Sequence, residues 1–174
     1  MEHVQGLVLV YTGSGKGKTT AALGLALRQI GHGGRVLFLQ FLKAPQQSGE
    51  HMAAVKFLPN LEIVPCGRKG FIYSLPTAED KCLAAAALIK AEKALDSQVY
   101  SMLVLDEIHV AMELGLISLD DLMRLVTARQ DTHLVLTGRN APAEIIQIAN
   151  IVSEVKEIKH DYQAGRLATA GIEY

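Results

Sequence analysis

The run Gly13-Ser14-Gly15-Lys16-Gly17-Lys18-Thr19-Thr20 packs three glycines, two lysines and two threonines into eight positions. Such a run suits anion binding. Glycines let successive backbone N–H groups converge on phosphate oxygens, a helix starting at Lys18 adds its positive end, Lys18 neutralises charge, and Thr19 offers a hydroxyl to Mg²⁺ or Mn²⁺. The pattern is a Walker A loop with departures, because position 12 is threonine instead of glycine and Lys16 stands ahead of Gly17. The competing reading is an ordinary glycine turn.

Further residues could complete such a site. Asp106-Glu107 closes the apolar run Met102-Leu103-Val104-Leu105, the position of a Walker B acid, where a carboxylate holds Mg²⁺ directly or through water and its neighbour orients a reacting group. Spacing does not decide which of the two touches metal, and a helix-capping acidic pair is the alternative. Thr137-Gly138-Arg139 follows another apolar run, so Arg139 can reach phosphates with its guanidinium fork; otherwise it is a solvated loop arginine. Gln40 and Lys43 are similarly placed, whereas Arg28 reads as a surface or packing arginine and His109 as a structural histidine.

These residues need elements to hold them at one edge. Residues 7–11, 36–41, 61–64, 102–105, 134–137 and 151–158 read as strands without polar alternation. Helices are predicted from Lys18 to the glycine-rich stop at Gly31, from the capping-box start Thr77-Ala78-Glu79-Asp80 to about Leu95, from Ile108, from Ser118, and after Pro142. Apolar strands separated by helices imply a mostly parallel sheet covered on both faces, an α/β fold built as a three-layer α/β/α sandwich. Ligands then gather at the carboxyl edge of the sheet. Residues 66 to 77 form the longest irregular segment expected.

Composition sets limits. A chain of 174 residues, 49% hydrophobic, is read as one domain spanning 1–174 and not as a disordered segment. A net charge of -1 offers no general attraction to nucleic acid or an acidic membrane. No apolar run reaches the roughly 20 residues of a bilayer span, and Met1 to Gln5 lack a signal-peptide pattern. Cys66 and Cys82 show no metal-ligand spacing and are read as free thiols in or near the core, in a cytoplasmic protein.

Together these motifs resemble the P-loop corrinoid adenosyltransferases, which act on cob(I)alamin or cob(I)yrinic acid a,c-diamide. The resemblance rests on Tyr11 through Ala22, Gln40-Phe41-Leu42-Lys43, Gly49-Glu50, Gly70-Phe71, Leu105-Asp106-Glu107, Thr137-Gly138-Arg139, Lys159-His160, Ala164-Gly165 and the closing Gly171-Ile172-Glu173-Tyr174. It implies a P-loop NTPase-like (RecA-like) fold and a reaction in which Co(I) of a corrinoid attacks the 5′ carbon of ATP and releases triphosphate. It also implies a nucleotide whose phosphates run in reverse through the loop, a homodimer, and an electron-donating flavoprotein as partner. Lys18, Glu107 and Arg139 would be catalytic. Gly13, Ser14, Gly15, Lys16, Gly17, Lys18, Thr19, Thr20 and Lys43 would hold ATP, with Thr19, Asp106 and Glu107 at the metal and Glu107 the closer carboxylate.

Phe71 and Tyr73 would pack on the lower face of the corrin, Tyr73 standing where family members often carry tryptophan. Only about ten residues precede the loop, so the corrin site is expected to be more open than in members with an N-terminal helical extension, or completed by a partner subunit. The rival expectations are a small ATP- or GTP-hydrolysing switch or motor subunit, and a nucleotide-binding module without turnover.

Overall fold

The computed structural model describes residues 5–45, 48–70, 72, 75–159 and 169–172. Six strands, β1 (Val8–Thr12), β2 (Val36–Phe41), β3 (Leu61–Cys66), β4 (Met102–Asp106), β5 (His133–Thr137) and β6 (Ile151–Glu154), form one sheet in the order β3-β2-β4-β5-β1-β6. Every pairing is parallel, with Leu9 opposite both Val135 and Ile151, and Gln40 opposite both Asp106 and Pro65. All six strands therefore end at the same edge. The α/β class and covered parallel sheet expected from the apolar strands are what the chain forms.

Side chains alternate across the sheet, so each central strand feeds two cores. On one face Val8, Val10, Leu37, Leu39, Leu103, Leu105, Leu134 and Leu136 pack against α3 (Ala78–Ser97), α4 (Ile108–Glu113), α5 (Leu119–Ala128) and α6 (Ala143–Ile148). On the other face Leu9, Val36, Phe38, Met102, Val104 and Val135 meet Ala22 and Ala26 of α1 (Lys18–Gly31) and Ala54 of α2 (Gly49–Phe57). With both faces covered, no polar alternation remains to be read in the strands.

Both anticipated capping boxes form: Thr77 with Asp80 opens α3, and Ser118 with Asp121 opens α5. Helix α2 was not anticipated. Only Ala54 of it is buried while Met52, Val55 and Phe57 are exposed, so its sequence carries no core-facing stripe. The last strand stops at Glu154, short of the expected Ile158, because the chain leaves the sheet there to cross beneath the glycine loop. Cys82 is exposed on α3, outside the core in which it was expected, whereas Cys66 is half-buried; both are free thiols. Among the described residues, no helix is long and apolar enough to cross a membrane.

Candidate nucleotide site

The loop from Gly13 to Gly17 connects β1 to α1, and two backbone contacts from the far end of the chain shape it. Gly15 donates its N–H to the Val155 carbonyl at 2.8 Å, and Val155 donates to the Thr12 carbonyl at 2.8 Å. A Cβ on Gly13 would lie 2.4 Å from the Val155 oxygen, and one on Gly15 would lie 2.7 Å from the Lys156 carbonyl carbon. These two glycines are thus required by the strand-end segment that passes under the loop. Gly17 has room for a side chain but adopts φ 114°, a left-handed conformation that favours glycine.

Helix α1 begins with no side-chain cap and no acidic residue in its first turn. Its leading N–H groups are left for an anion, and its dipole favours one. The Lys18 ammonium is buried against the loop and donates to the carbonyls of Gly13 at 2.8 Å and Gly15 at 2.7 Å. An ammonium has three N–H bonds, so one remains for a phosphate oxygen. Burial lowers the Lys18 pKa, and Arg139 adds to the effect, while Glu107 and Asp106 oppose it.

Asp106, at the end of β4, is fully buried and accepts from three groups. Its Oδ1 takes the hydroxyls of Thr19 at 2.9 Å and Thr137 at 2.7 Å, and its Oδ2 takes the Lys43 ammonium at 2.9 Å. The first turn of α1, the loop just past β2 and the ends of β4 and β5 are tied together through this one side chain. Glu107 follows at φ 60°, an uncommon conformation for a non-glycine residue, and its N–H donates to the Thr137 hydroxyl at 2.9 Å. Burial raises the Glu107 pKa, with the Asp106 charge adding to it and Lys43, Lys18 and Arg139 pulling the other way.

These groups border a cavity of about 510 Å³ lined by residues Ser14 through Thr20, Lys43, Glu107 and Arg139, a size within the usual range for small-molecule sites. Gly13 and Asp106 stand behind this lining, Gly13 holding Lys18 and Asp106 holding Thr19 and Lys43. Phe71 and Tyr73 lie outside the described residues. Arg28 is exposed on α1, and His109 is buried with neither ring nitrogen hydrogen-bonded among the described residues, its pKa lowered by burial to about 4.

Sequence reasoning gave no role to several residues now at the site. Thr137 bridges the acidic pair, and Glu50, Glu157 and Ile172 line the cavity. The Gly49-Glu50, Thr137-Gly138-Arg139 and Gly171-Ile172 motifs contained three of these four residues, but without a fold no spacing tied them to the glycine loop.

The donors fit a magnesium ion held as phosphate-binding loops hold it. Thr19 directs its proton to Asp106, leaving oxygen lone pairs for a hard cation, and Glu107 supplies a carboxylate on the cavity wall. Among the described residues no cluster of three or more His, Cys, Asp or Glu side chains could hold a metal on its own.

Known proteins resemble the chain over nearly its whole length. The family model for ATP:corrinoid adenosyltransferase BtuR/CobO/CobP matches residues 4–174. A corrinoid adenosyltransferase of Sinorhizobium sp is 34% identical over 173 residues, which cover 98% of this chain and 81% of the relative. One from Pseudomonas aeruginosa is 33% identical over 172 residues, or 98% of this chain and 84% of the relative. The corrinoid adenosyltransferase CobA of Salmonella typhimurium is 31% identical over 175 residues, 99% of this chain and 88% of its own. Matched almost end to end, and carrying a glycine loop whose Lys18 closes on the loop carbonyls while Thr19 donates to buried Asp106, the chain belongs to the ATP:corrinoid adenosyltransferase family.

Proposed function

We infer that the chain transfers the 5′-deoxyadenosyl group of ATP to Co(I) of a corrinoid and releases inorganic triphosphate. Family membership gives the activity, ATP-dependent adenosylation of corrinoids. The observation that carries the site assignment is the Asp106 network, which holds Thr19 and Lys43 at the wall of a cavity lined by the phosphate-binding loop.

The reaction asks little covalent chemistry of the protein. The cobalt electron pair forms the Co–C5′ bond while the C5′–O bond breaks, its electrons leaving on triphosphate, so the substrate is itself the nucleophile. What the chain supplies is position and charge. Loop amides and the α1 N-terminus fix the phosphate chain, Lys18 adds its third N–H bond, and Arg139 and Lys43 stand on the same wall to meet the growing negative charge of the leaving group. Thr19, Glu107 and, through Thr19, Asp106 would hold Mg²⁺, which would neutralise triphosphate as it departs.

Phe71 and Tyr73 would form the floor under the corrin, a reading supported by the family resemblance. Homodimer formation, an electron-donating flavoprotein and a cytoplasmic setting rest on the same resemblance and, for the setting, on two free thiols.

The deciding experiment supplies MgATP and chemically reduced Co(I) corrinoid and separates the phosphate products by ion-exchange chromatography. Triphosphate equal in amount to a light-sensitive alkylated corrinoid is expected. ADP and orthophosphate without alkylated cobalt would replace this reading with that of a hydrolase.

A further inference from the structure

Position 12, where the strict Walker A pattern carries glycine, is a threonine at the end of β1. Its backbone is that of a strand, so no glycine is needed there. Its side chain does not reach the cavity, whose lining on this loop begins at Ser14. The hydroxyl is engaged on the other side, where Thr12 Oγ1 accepts the Ala141 N–H at 3.2 Å.

Ala141 closes the turn that leaves β5, and Arg139 stands in the middle of that turn. The residues on either side of Arg139 are both left-handed, Gly138 at φ 139° and Asn140 at φ 52°. Such a backbone course persists where its surroundings hold it. One side is held by α4: a Cβ on Gly138 would lie 2.8 Å from the His109 Cβ, and Asn140 Nδ2 donates to Glu113 at 3.2 Å. The other side is held by β1, through the Gly138 N–H donated to the Tyr11 carbonyl at 3.2 Å and through Thr12. Tyr11 uses its backbone and would make its contact whatever its side chain. The contact from Thr12 needs a hydroxyl, which glycine lacks.

A guanidinium pairs with two phosphate oxygens at once only when its plane is aligned with them, and a turn already fixed reduces the freedom lost when they meet. We propose that Thr12 is a positioning residue for Arg139, its hydroxyl holding the turn after β5 so that the guanidinium meets the departing triphosphate in alignment. The assignment rests on the reading of Arg139 as a triphosphate ligand. It gives the departure at position 12 a physical reason, since the glycine loop and the Arg139 turn are joined through the one side chain that the strict pattern would delete.

Calorimetric titration with magnesium triphosphate, without corrinoid, tests it on the wild type, Thr12→Val, Arg139→Met and the double variant. Thr12→Val keeps the branched shape and removes the hydroxyl, so triphosphate affinity should fall about fivefold, as for one neutral hydrogen bond. Thr12→Ser should stay within about twofold of wild type, and Thr12→Gly, which restores the strict pattern, should weaken binding at least as much as Thr12→Val. Arg139→Met should lose about tenfold or more, and adding Thr12→Val to it should cost nothing further. If Thr12→Val does not fold by circular dichroism, Thr12→Ala takes its place.

Wild-type affinity in a folded variant lacking the hydroxyl overturns the proposal, as does an equal loss in Thr12→Ser. A double variant whose loss is the product of the two single losses overturns it too, because a threonine that merely stabilises the loop acts independently of Arg139. Wild-type affinity in Arg139→Met would fail one step earlier, at the reading of that arginine as a triphosphate ligand, and would take the proposal with it.

Discussion

At the scale of single residues the site separates groups that carry charge to the substrate from the one that holds them in place. Lys18 and Thr19 line the cavity, and on the proposed reading each would lose a contact to phosphate or metal when truncated. Lys18→Ala and Thr19→Ala should each remove about 2–4 kcal/mol of transition-state stabilisation, with circular dichroism unchanged because the loop sits at the sheet edge; near-wild-type steady-state rates in folded Lys18→Ala would remove that lysine from the mechanism. Asp106 should behave differently from Glu107. Asp106→Asn strips a half-buried Lys43 of its anion and disturbs two hydroxyl donors to a buried carboxylate, so stability should fall by about 2 kcal/mol together with turnover. Glu107→Gln should leave the urea midpoint nearly unchanged and raise the Mg²⁺ concentration needed for half-maximal rate. Equal urea midpoints and equal metal titrations in the two variants would dismiss this division of labour.

At the scale of elements, the segment between β3 and α3 is pinned by one carboxylate. Asp80 accepts from the Thr77 N–H at 2.8 Å and hydroxyl at 2.7 Å, and from Arg68 Nε at 2.8 Å, so it both caps α3 and anchors the residue just past Gly67. The Thr77 side-chain bond above all, with its backbone bond and Arg68, holds the Asp80 pKa below its ordinary value against the effect of burial. Because the folded pKa is depressed, the stabilisation is present above the unfolded carboxylate's value of about 3.9 and is lost as pH falls through the lower folded value. Asp80→Asn should therefore cost about 1 kcal/mol at pH 7 and less as the pH drops below 4, measured by urea melts across that range; a constant difference from pH 7 to pH 2 would show that ionisation of Asp80 does not matter. This box was legible in the sequence because Thr-x-x-Asp states its own local geometry, as did the apolar strands and the Gly-Lys-Thr turn. Helix α2 was not, since its one buried residue gives no period, and neither was the end of β6, which is fixed by Val155 meeting Gly13 and Gly15 from more than a hundred residues away. The site was legible in the same proportion: residues in contiguous motifs could be named, whereas Glu50 and Thr137 acquire roles only when β2, β4 and β5 end side by side.

At the scale of the whole molecule, the two cores are opposite faces of one sheet, and this makes the single-domain reading testable. Leu134 and Val135 are adjacent on β5 and fully buried, yet Leu134 belongs to the core under α3 and α5 while Val135 belongs to the core under α1. If 1–174 is one cooperative unit, a cavity on either face must destabilise both. Leu134→Ala should cost about 2–5 kcal/mol and Val135→Ala somewhat less, each as one transition whose midpoint is the same by far-ultraviolet circular dichroism and by tyrosine fluorescence. The nucleotide site binds the faces together further, because Thr19 comes from α1 on one side and Asp106, Lys43 and Thr137 from the ends of three strands. MgATP at a hundred times its dissociation constant should then add about 2.7 kcal/mol to both variants alike. Two transitions, or a ligand effect confined to the variant on the α1 face, would mean that the halves of the sandwich fold separately and that the sheet does not transmit stability between them.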